Sequence, residues 1–202
     1  RMRAGTWKGH VGFELGGKTL GVIGTGSIGK LVAELGAGLG MRALCYSRTH
    51  EGAWATAVGA TYVSLDELLR ASDVVSLHIA LTDDTRSLLS QRELSLMKPS
   101  AILINTSRGA VVDEDALFAA LREGRLSGAG LDVFAEEPIG QSRLLELESV
   151  VLTPHISGLT AESAHAMAMG AASSVVAVLC GRMPENAVNA PRARQGSIVE
   201  TT

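Results

Sequence analysis

Cysteine is scarce in this sequence, charge of one sign never accumulates, and no hydrophobic stretch is long. The two cysteines, Cys45 and Cys180, lie too far apart to form a metal clip. They read as small buried hydrophobes in a reducing compartment, and no metal site is expected. Lys and Arg number 18 against 21 Asp and Glu, for a formal net charge of -3. With no basic run among them, the electrostatic footprint of a nucleic-acid or anionic-membrane binder is missing. No apolar run approaches the roughly 20 residues that span a bilayer, and no charged, apolar, then small-residue leader is visible. The expectation is a cytoplasmic protein whose partner is a small molecule. The chain opens on Arg1 rather than Met, which leads us to expect a piece of a longer product.

What is present is a rhythm. At 202 residues and 46% hydrophobic, the chain can bury one core with some extra elements. Short apolar runs at Thr19–Ile23, Arg42–Tyr46, Thr61–Val63, Val74–His78, Ala101–Ile104, Gly128–Leu131 and Val150–Leu152 alternate with segments of helical spacing, among them Ile28–Leu39, Leu65–Arg70 and Glu114–Glu123. Alternation of this kind predicts parallel βαβ units. Runs nearly continuous in Val, Ile, Leu and Ala fit strands covered on both faces. The expected fold is α/β, a Rossmann-type doubly wound parallel sheet over 18–160. An irregular arm over 1–17 precedes it, a helix and return over 161–189 follows, closed by Gly181 and Pro184, and the last segment, 190–202, is expected to be disordered.

Gly24-Thr25-Gly26-Ser27-Ile28-Gly29 follows the first strand directly and opens the first helix. In that context the first glycine makes a tight turn, the second lets backbone approach a pyrophosphate, and the third lets helix and strand pack closely. The helix N-terminus supplies amide donors. The acid that usually ends the second strand and takes the ribose 2′-hydroxyl is missing; Ser47-Arg48-Thr49 stands there. A hydroxyl followed by a guanidinium suits a 2′-phosphate, so the reading leans to NADP over NAD. The alternative is an Arg48 that lies over the adenine or faces water while the protein uses NAD.

Polar residues recur where strands end: His78, then Asn105-Thr106-Ser107-Arg108-Gly109, Asp132, and Thr153-Pro154-His155. In a parallel sheet these ends share one edge, where ligands of open α/β sheets bind. Beside a nicotinamide, oxidation of a hydroxy acid needs a base, a cation for the carboxylate or carbonyl oxygen, and a group that orients the base. His155 suits the first role, because imidazole exchanges protons near neutral pH. Arg108 suits the second through bidentate geometry, and Glu137 the third. Each also has a plainer reading: a loop histidine bonded to backbone, a surface arginine, a solvated acid. His78 reads as packing against the cofactor or the strand below.

These residues and their flanks resemble the D-isomer-specific 2-hydroxyacid dehydrogenases from about Arg3 to Asn189. The resemblance rests on Leu15-Gly16-Gly17-Lys18-Thr19-Leu20-Gly21-Val22, Ser72-Asp73-Val74-Val75-Ser76-Leu77-His78, Met97-Lys98-Pro99, Ile104-Asn105-Thr106-Ser107-Arg108-Gly109, Val112-Asp113-Glu114, Leu131-Asp132-Val133-Phe134, Glu137-Pro138 and Thr153-Pro154-His155-Ile156. It implies that Arg108 contacts the substrate, that Glu137 pairs with His155, and that His155 is the acid/base. It also implies Ser27 and Ile28 against the pyrophosphate, Ser47 at the ribose, and Ile79, Ala80 and Thr85 along the adenosine. Thr106, Ser107 and Asp132 would lie near the nicotinamide, Asp132 on its carboxamide. Ala80 stands where the family usually has proline, and the family's N-terminal substrate domain is not in this sequence. The arm around Trp7 resembles the family's dimer contacts, so a homodimer is expected.

The leading expectation is reduction of a small 2-keto acid, such as glyoxylate or hydroxypyruvate, to the D-2-hydroxy acid. The alternative is a catalytically inactive nucleotide-binding or dimerisation module. A short-chain dehydrogenase is disfavoured, since neither Tyr46 nor Tyr62 has a Lys four residues on.

Overall fold

The computed structural model describes Gly5, Trp7 and residues 12–188. Most of the expected arm and all of the expected tail over 190–202 lie outside the described residues. The chain divides into two compact units, Arg1–Ser157 and Gly158–Thr202.

The first unit is built on seven parallel strands: β1 (Thr19–Ile23), β2 (Arg42–Tyr46), β3 (Thr61–Tyr62), β4 (Val74–Leu77), β5 (Ile102–Asn105), β6 (Gly128–Leu131) and β7 (Val150–Leu152). Their order is β3-β2-β1-β4-β5-β6-β7, each neighbour parallel. The direction of winding therefore reverses between β1 and β4, which opens a crevice at the carboxyl ends of those two strands. Helices α1 (Ser27–Gly38), α2 (Gly52–Val58), α3 (Leu65–Ala71), α4 (Gln91–Leu96) and α5 (Glu114–Arg122) supply the connections.

Side chains alternate across the sheet as a two-residue period requires. Leu20 and Val22 of β1 join Ala43 and Cys45 of β2 in a small cluster with Ala33 of α1. Ile23, Leu44, Val75, Leu77, Leu103 and Leu131 point the other way, into a larger cluster with Leu68 and Leu69 of α3, Leu94 of α4 and Leu117 and Leu121 of α5. Burial pushes the Cys45 thiol up to about 11, so it stays a neutral core side chain.

Most helices begin on a side-chain cap. Ser64 Oγ accepts from Glu67 N at 3.3 Å, Asp113 Oδ1 accepts from Ala116 N at 3.0 Å, and Glu93 accepts from Ser90 N at 3.1 Å. Helix α1 starts differently: Gly26 is its N-cap, no side chain caps it, and its first turn has no acid.

Several boundaries differ from the sequence expectation. Helices α2 and α4, not singled out in the sequence, each bury a single residue, Ala55 and Leu94, and so show no apolar spacing. Strands β3 and β4 each stop one residue earlier than expected, and β5 lies one residue later, which takes Asn105 into the sheet. In the second unit, α6 (Ala161–Leu179) opens on a reciprocal Thr160–Ser163 capping box and ends before Gly181 at φ 69°. None of its residues is buried. Cys180, expected as a buried hydrophobe, is its exposed C-cap, because the helix places it past the last apolar turn.

One electrostatic consequence is local to α4. Partial burial pushes the Glu93 carboxyl up, but hydrogen bonds from Ser90 and Arg92 outweigh it and hold it at about 2. A carboxyl depressed in the folded state stabilises the fold above its ordinary value of 4.5, and that contribution is lost as pH falls from there towards 2. Thermal melts at pH 6 and pH 3 should therefore show a smaller acid drop for Glu93→Gln than for the unaltered chain; an equal drop would mean the carboxylate contributes nothing in this window.

Candidate functional site

Every candidate group sits at, or just beyond, the carboxyl end of a parallel strand. Gly24 follows β1, Ser47 follows β2, His78 follows β4, Thr106 follows β5, Asp132 follows β6 and Thr153 follows β7. One sheet edge thus gathers residues that are far apart in sequence.

At β1 the three glycines do three different things. Gly24 has φ 95°, and its N–H donates to Tyr46 O at 2.8 Å, so the chain turns sharply while still hooked to β2. A Cβ on Gly29 would overlap the Gly24 carbonyl and press on His78 Cβ at 3.3 Å, so helix, turn and β4 pack too closely for any side chain. Gly26 has open space around it and is exposed with Ser27 and Ile28. The uncapped start of α1 thus faces outward with its first amides free of side-chain acceptors, the arrangement a pyrophosphate would complete. Thr25 is buried at 7% and bonds Tyr62 of β3, hydroxyl to hydroxyl, at 3.0 Å.

After β2, Ser47 is half-buried while Arg48 and Thr49 are exposed. Among the described residues Arg48 has no salt bridge or hydrogen bond. After β4, His78 Nε2 lies 2.8 Å from Ser76 Oγ, and burial pushes the imidazole towards its neutral form. That fits a packing group better than an acid/base. Ile79 packs against the larger core cluster, Ala80 is exposed, and Thr85 Oγ1 donates to Ala80 O at 2.7 Å, closing the loop between them.

After β5, Asn105 governs the loop. Its Oδ1 accepts from Ser107 N at 3.0 Å and from Ser107 Oγ at 2.8 Å, and its Nδ2 donates to Arg108 O at 3.0 Å. Thr106 is left half-buried and Arg108 exposed, its guanidinium bonded to Ser107 O at 2.6 Å. Gly109 packs directly on the Phe134–Ala135 backbone, which anchors the Arg108 loop to the loop that carries Glu137.

His155 and Glu137 are paired. His155 Nδ1 lies 2.7 Å from Glu137 Oε2, and Glu137 Oε1 accepts from Phe134 N at 3.0 Å. The hydrogen bond with His155, then that from Phe134, hold the Glu137 carboxyl below its ordinary value, with the Arg108 charge adding to the same effect. With Nδ1 turned to the carboxylate, Nε2 is the ring nitrogen left for a substrate. His155 itself has φ 52°.

Asp132 takes a role that sequence reasoning missed. It is 3% exposed; Oδ1 accepts from Thr153 Oγ1 at 2.6 Å and Ile156 N at 2.9 Å, and Oδ2 accepts from Ser157 N at 2.9 Å. The His155 N–H donates to Asp132 O at 2.9 Å. Burial pushes the carboxyl up, yet these donors overwhelm it and hold it far below the usual range. Beside the cofactor contact expected of Asp132, its carboxylate grips the turn that carries His155. Tyr62, Asn105 and Thr153 were also missed as site residues, since their parts are played through bonds to other loops. No group of three or more His, Cys, Asp or Glu side chains among the described residues could hold a metal.

Residues 1–157 match a family described as the NAD binding domain of D-isomer specific 2-hydroxyacid dehydrogenases. The chain is 46% identical over 197 residues to the glyoxylate reductase of Thermococcus litoralis, covering 93% of this chain and 60% of that protein. It is 49% identical over 180 residues to the glyoxylate reductase of Aeropyrum pernix, covering 89% of this chain and 54% of that one. Its fold superposes on D-lactate dehydrogenase from Aquifex aeolicus, solved with NAD and lactic acid, with a TM-score of 0.83 at 39% identity, over 90% of this chain and 60% of that one. The chain thus spans little more than half the length of these relatives.

Proposed function

The chain belongs to the D-isomer specific 2-hydroxyacid dehydrogenase family, as its NAD-binding part, and on that premise we propose that the complete protein reduces a small 2-keto acid of the glyoxylate or hydroxypyruvate type to its D-2-hydroxy acid. The observation that carries the reading is the 2.7 Å contact between His155 and Glu137 on the same sheet edge as the uncapped start of α1.

The cofactor's residues fit the group. Gly24, Gly26 and Gly29 leave room for the pyrophosphate, with the Ser27 and Ile28 amides as donors. By the family resemblance, Ile79, Ala80 and Thr85 would border the adenosine, and Thr106 and Ser107 the nicotinamide. When bound, the nicotinamide supplies the hydride. The protein's part is positioning and proton transfer. Arg108 swings from the Ser107 carbonyl to take the keto acid's carboxylate and carbonyl oxygen, a bidentate match for guanidinium. His155 Nε2 gives its proton to the oxygen as it becomes hydroxyl, and Glu137 holds the ring in register through Nδ1. In the oxidative direction the same nitrogen takes the proton back.

The cofactor is read as NADP(H), because Ser47, Thr49 and Arg48, which has no ion pair among the described residues, occupy the place of a ribose-binding acid. The protein is read as a homodimer: Trp7 is 88% exposed, and Leu31, Leu35 and Leu39 form an uncovered apolar row on and just past α1. Cytoplasmic residence fits two free cysteines, and no described helix is long and apolar enough to cross a membrane.

The test is loss of nicotinamide absorbance when the complete protein meets glyoxylate and hydroxypyruvate. We expect turnover with at least tenfold higher kcat/KM for NADPH than NADH, the size of one well-placed charged contact. Equal use of both cofactors would remove the argument from Ser47–Thr49. No turnover with either substrate would leave a nucleotide-binding module.

A further inference from the structure

The loop that follows β2 is held by contacts beyond the Ser47–Thr49 motif, and they single out one more side chain. Tyr62 is at their centre. Its phenol oxygen accepts from Glu51 N at 3.3 Å and bonds Thr25 Oγ1 of the glycine turn at 3.0 Å. Its ring stacks on His50, with centroids 4.3 Å apart and planes inclined by 15°. Trp54 packs edge-on against the same ring at 6.4 Å.

The charges nearby divide clearly. Lys30 pairs with Glu51 at 2.5 Å and lies 5.7 Å from the Trp54 ring, whose Nε1 donates to Glu34 at 2.8 Å. Lys30 is thereby neutralised as a phosphate ligand. Arg48 and His50 have no hydrogen-bond or ion-pair partner among the described residues. Stacking fixes the imidazole plane and leaves both nitrogens at the ring edge, open to an anion.

We infer that His50, held by the Tyr62 ring, is a second ligand for the cofactor's 2′-phosphate beside Arg48, and that Tyr62 is the positioning residue that holds it through the stack. The inference rests on the NADP reading given above. It adds a specificity-determining side chain from outside the serine-arginine-threonine motif, chosen by its stack on an edge strand.

Calorimetric titration of the chain with adenosine 2′,5′-bisphosphate and adenosine 5′-monophosphate isolates the subsite, since the two differ by the 2′-phosphate alone. His50→Ala should weaken the bisphosphate about five- to tenfold, the size of one hydrogen bond of ordinary net strength at an exposed site, and leave the monophosphate within about twofold. Tyr62→Leu should reduce the same ratio, and Tyr62→Phe, which keeps the stack, should preserve most of it. Unchanged ratios in His50→Ala with a collapsed ratio in Arg48→Ala would overturn the role of His50 and leave the NADP reading standing. An unaltered chain that does not favour the bisphosphate would remove both.

Discussion

His155→Asn in the complete protein should lower kcat by about 10²- to 10⁴-fold, the usual contribution of a positioned acid/base, while nicotinamide-nucleotide affinity stays within about twofold. The separation follows from geometry. Nδ1 is committed to Glu137 and Nε2 is the atom proposed to carry the proton, whereas the glycine turn and the loop after β2 make no contact through the imidazole. Glu137→Gln should show a smaller loss, since an amide oxygen still accepts from the ring or from Phe134 N but brings no charge to the pair. Steady-state rates beside calorimetric affinities decide it. Retained turnover in His155→Asn would assign proton transfer to another group; lost nucleotide affinity would show that the substitution has disturbed the sheet edge rather than the chemistry.

The second large effect is expected at Asp132. Truncation to Ala removes the acceptor of two backbone N–H groups and one hydroxyl at a site 3% exposed. Hydrogen bonds to a charged group contribute about 1.5–3 kcal/mol each at most, and buried donors left unsatisfied add their own cost. A net loss of about 3–4 kcal/mol is expected, or about 6–16 °C in Tm for a chain of this size. Asp132→Asn should fall between, because an amide can accept from some of these donors but must present its NH2 to the rest. Turnover should drop in both variants without loss of the His155 side chain, since the turn from Thr153 to Ser157 would no longer hold the ring on Glu137. Unchanged melting in Asp132→Ala would mean that the turn is fixed by its backbone alone.

The glycine turn was legible in the sequence because its context is local: an apolar run, three glycines at fixed spacing, then a helical period. The same holds for His155, Glu137 and Arg108, whose shared edge follows from strands being parallel. What escaped reading had other causes. Helices α2 and α4 bury one residue each, against the Leu68 and Leu69 pair that marks α3, and so leave no apolar spacing to read. Tyr62 belongs to a two-residue edge strand, and its importance lies in contacts with Thr25, His50 and Glu51 on two other loops. Asp132 was recognised as polar at a strand end, but two of its partners are backbone amides 24 and 25 residues onward, which leave no mark in side-chain pattern. Cys180 was assigned to a core by residue type, although α6 has no buried position in its own unit.

The φ of 52° at His155 has a consequence for how the protein can evolve. The left-handed region suits glycine best, with asparagine, aspartate and histidine next, and costs a residue with a side chain about 1 kcal/mol or more. His155, the proposed proton carrier, therefore sits where conformational preference alone would choose glycine. Replacements that silence the reaction can relax the backbone at the same step, so thermal robustness and turnover pull in opposite directions at this position. Selection for stability alone would erode the site from His155 outward.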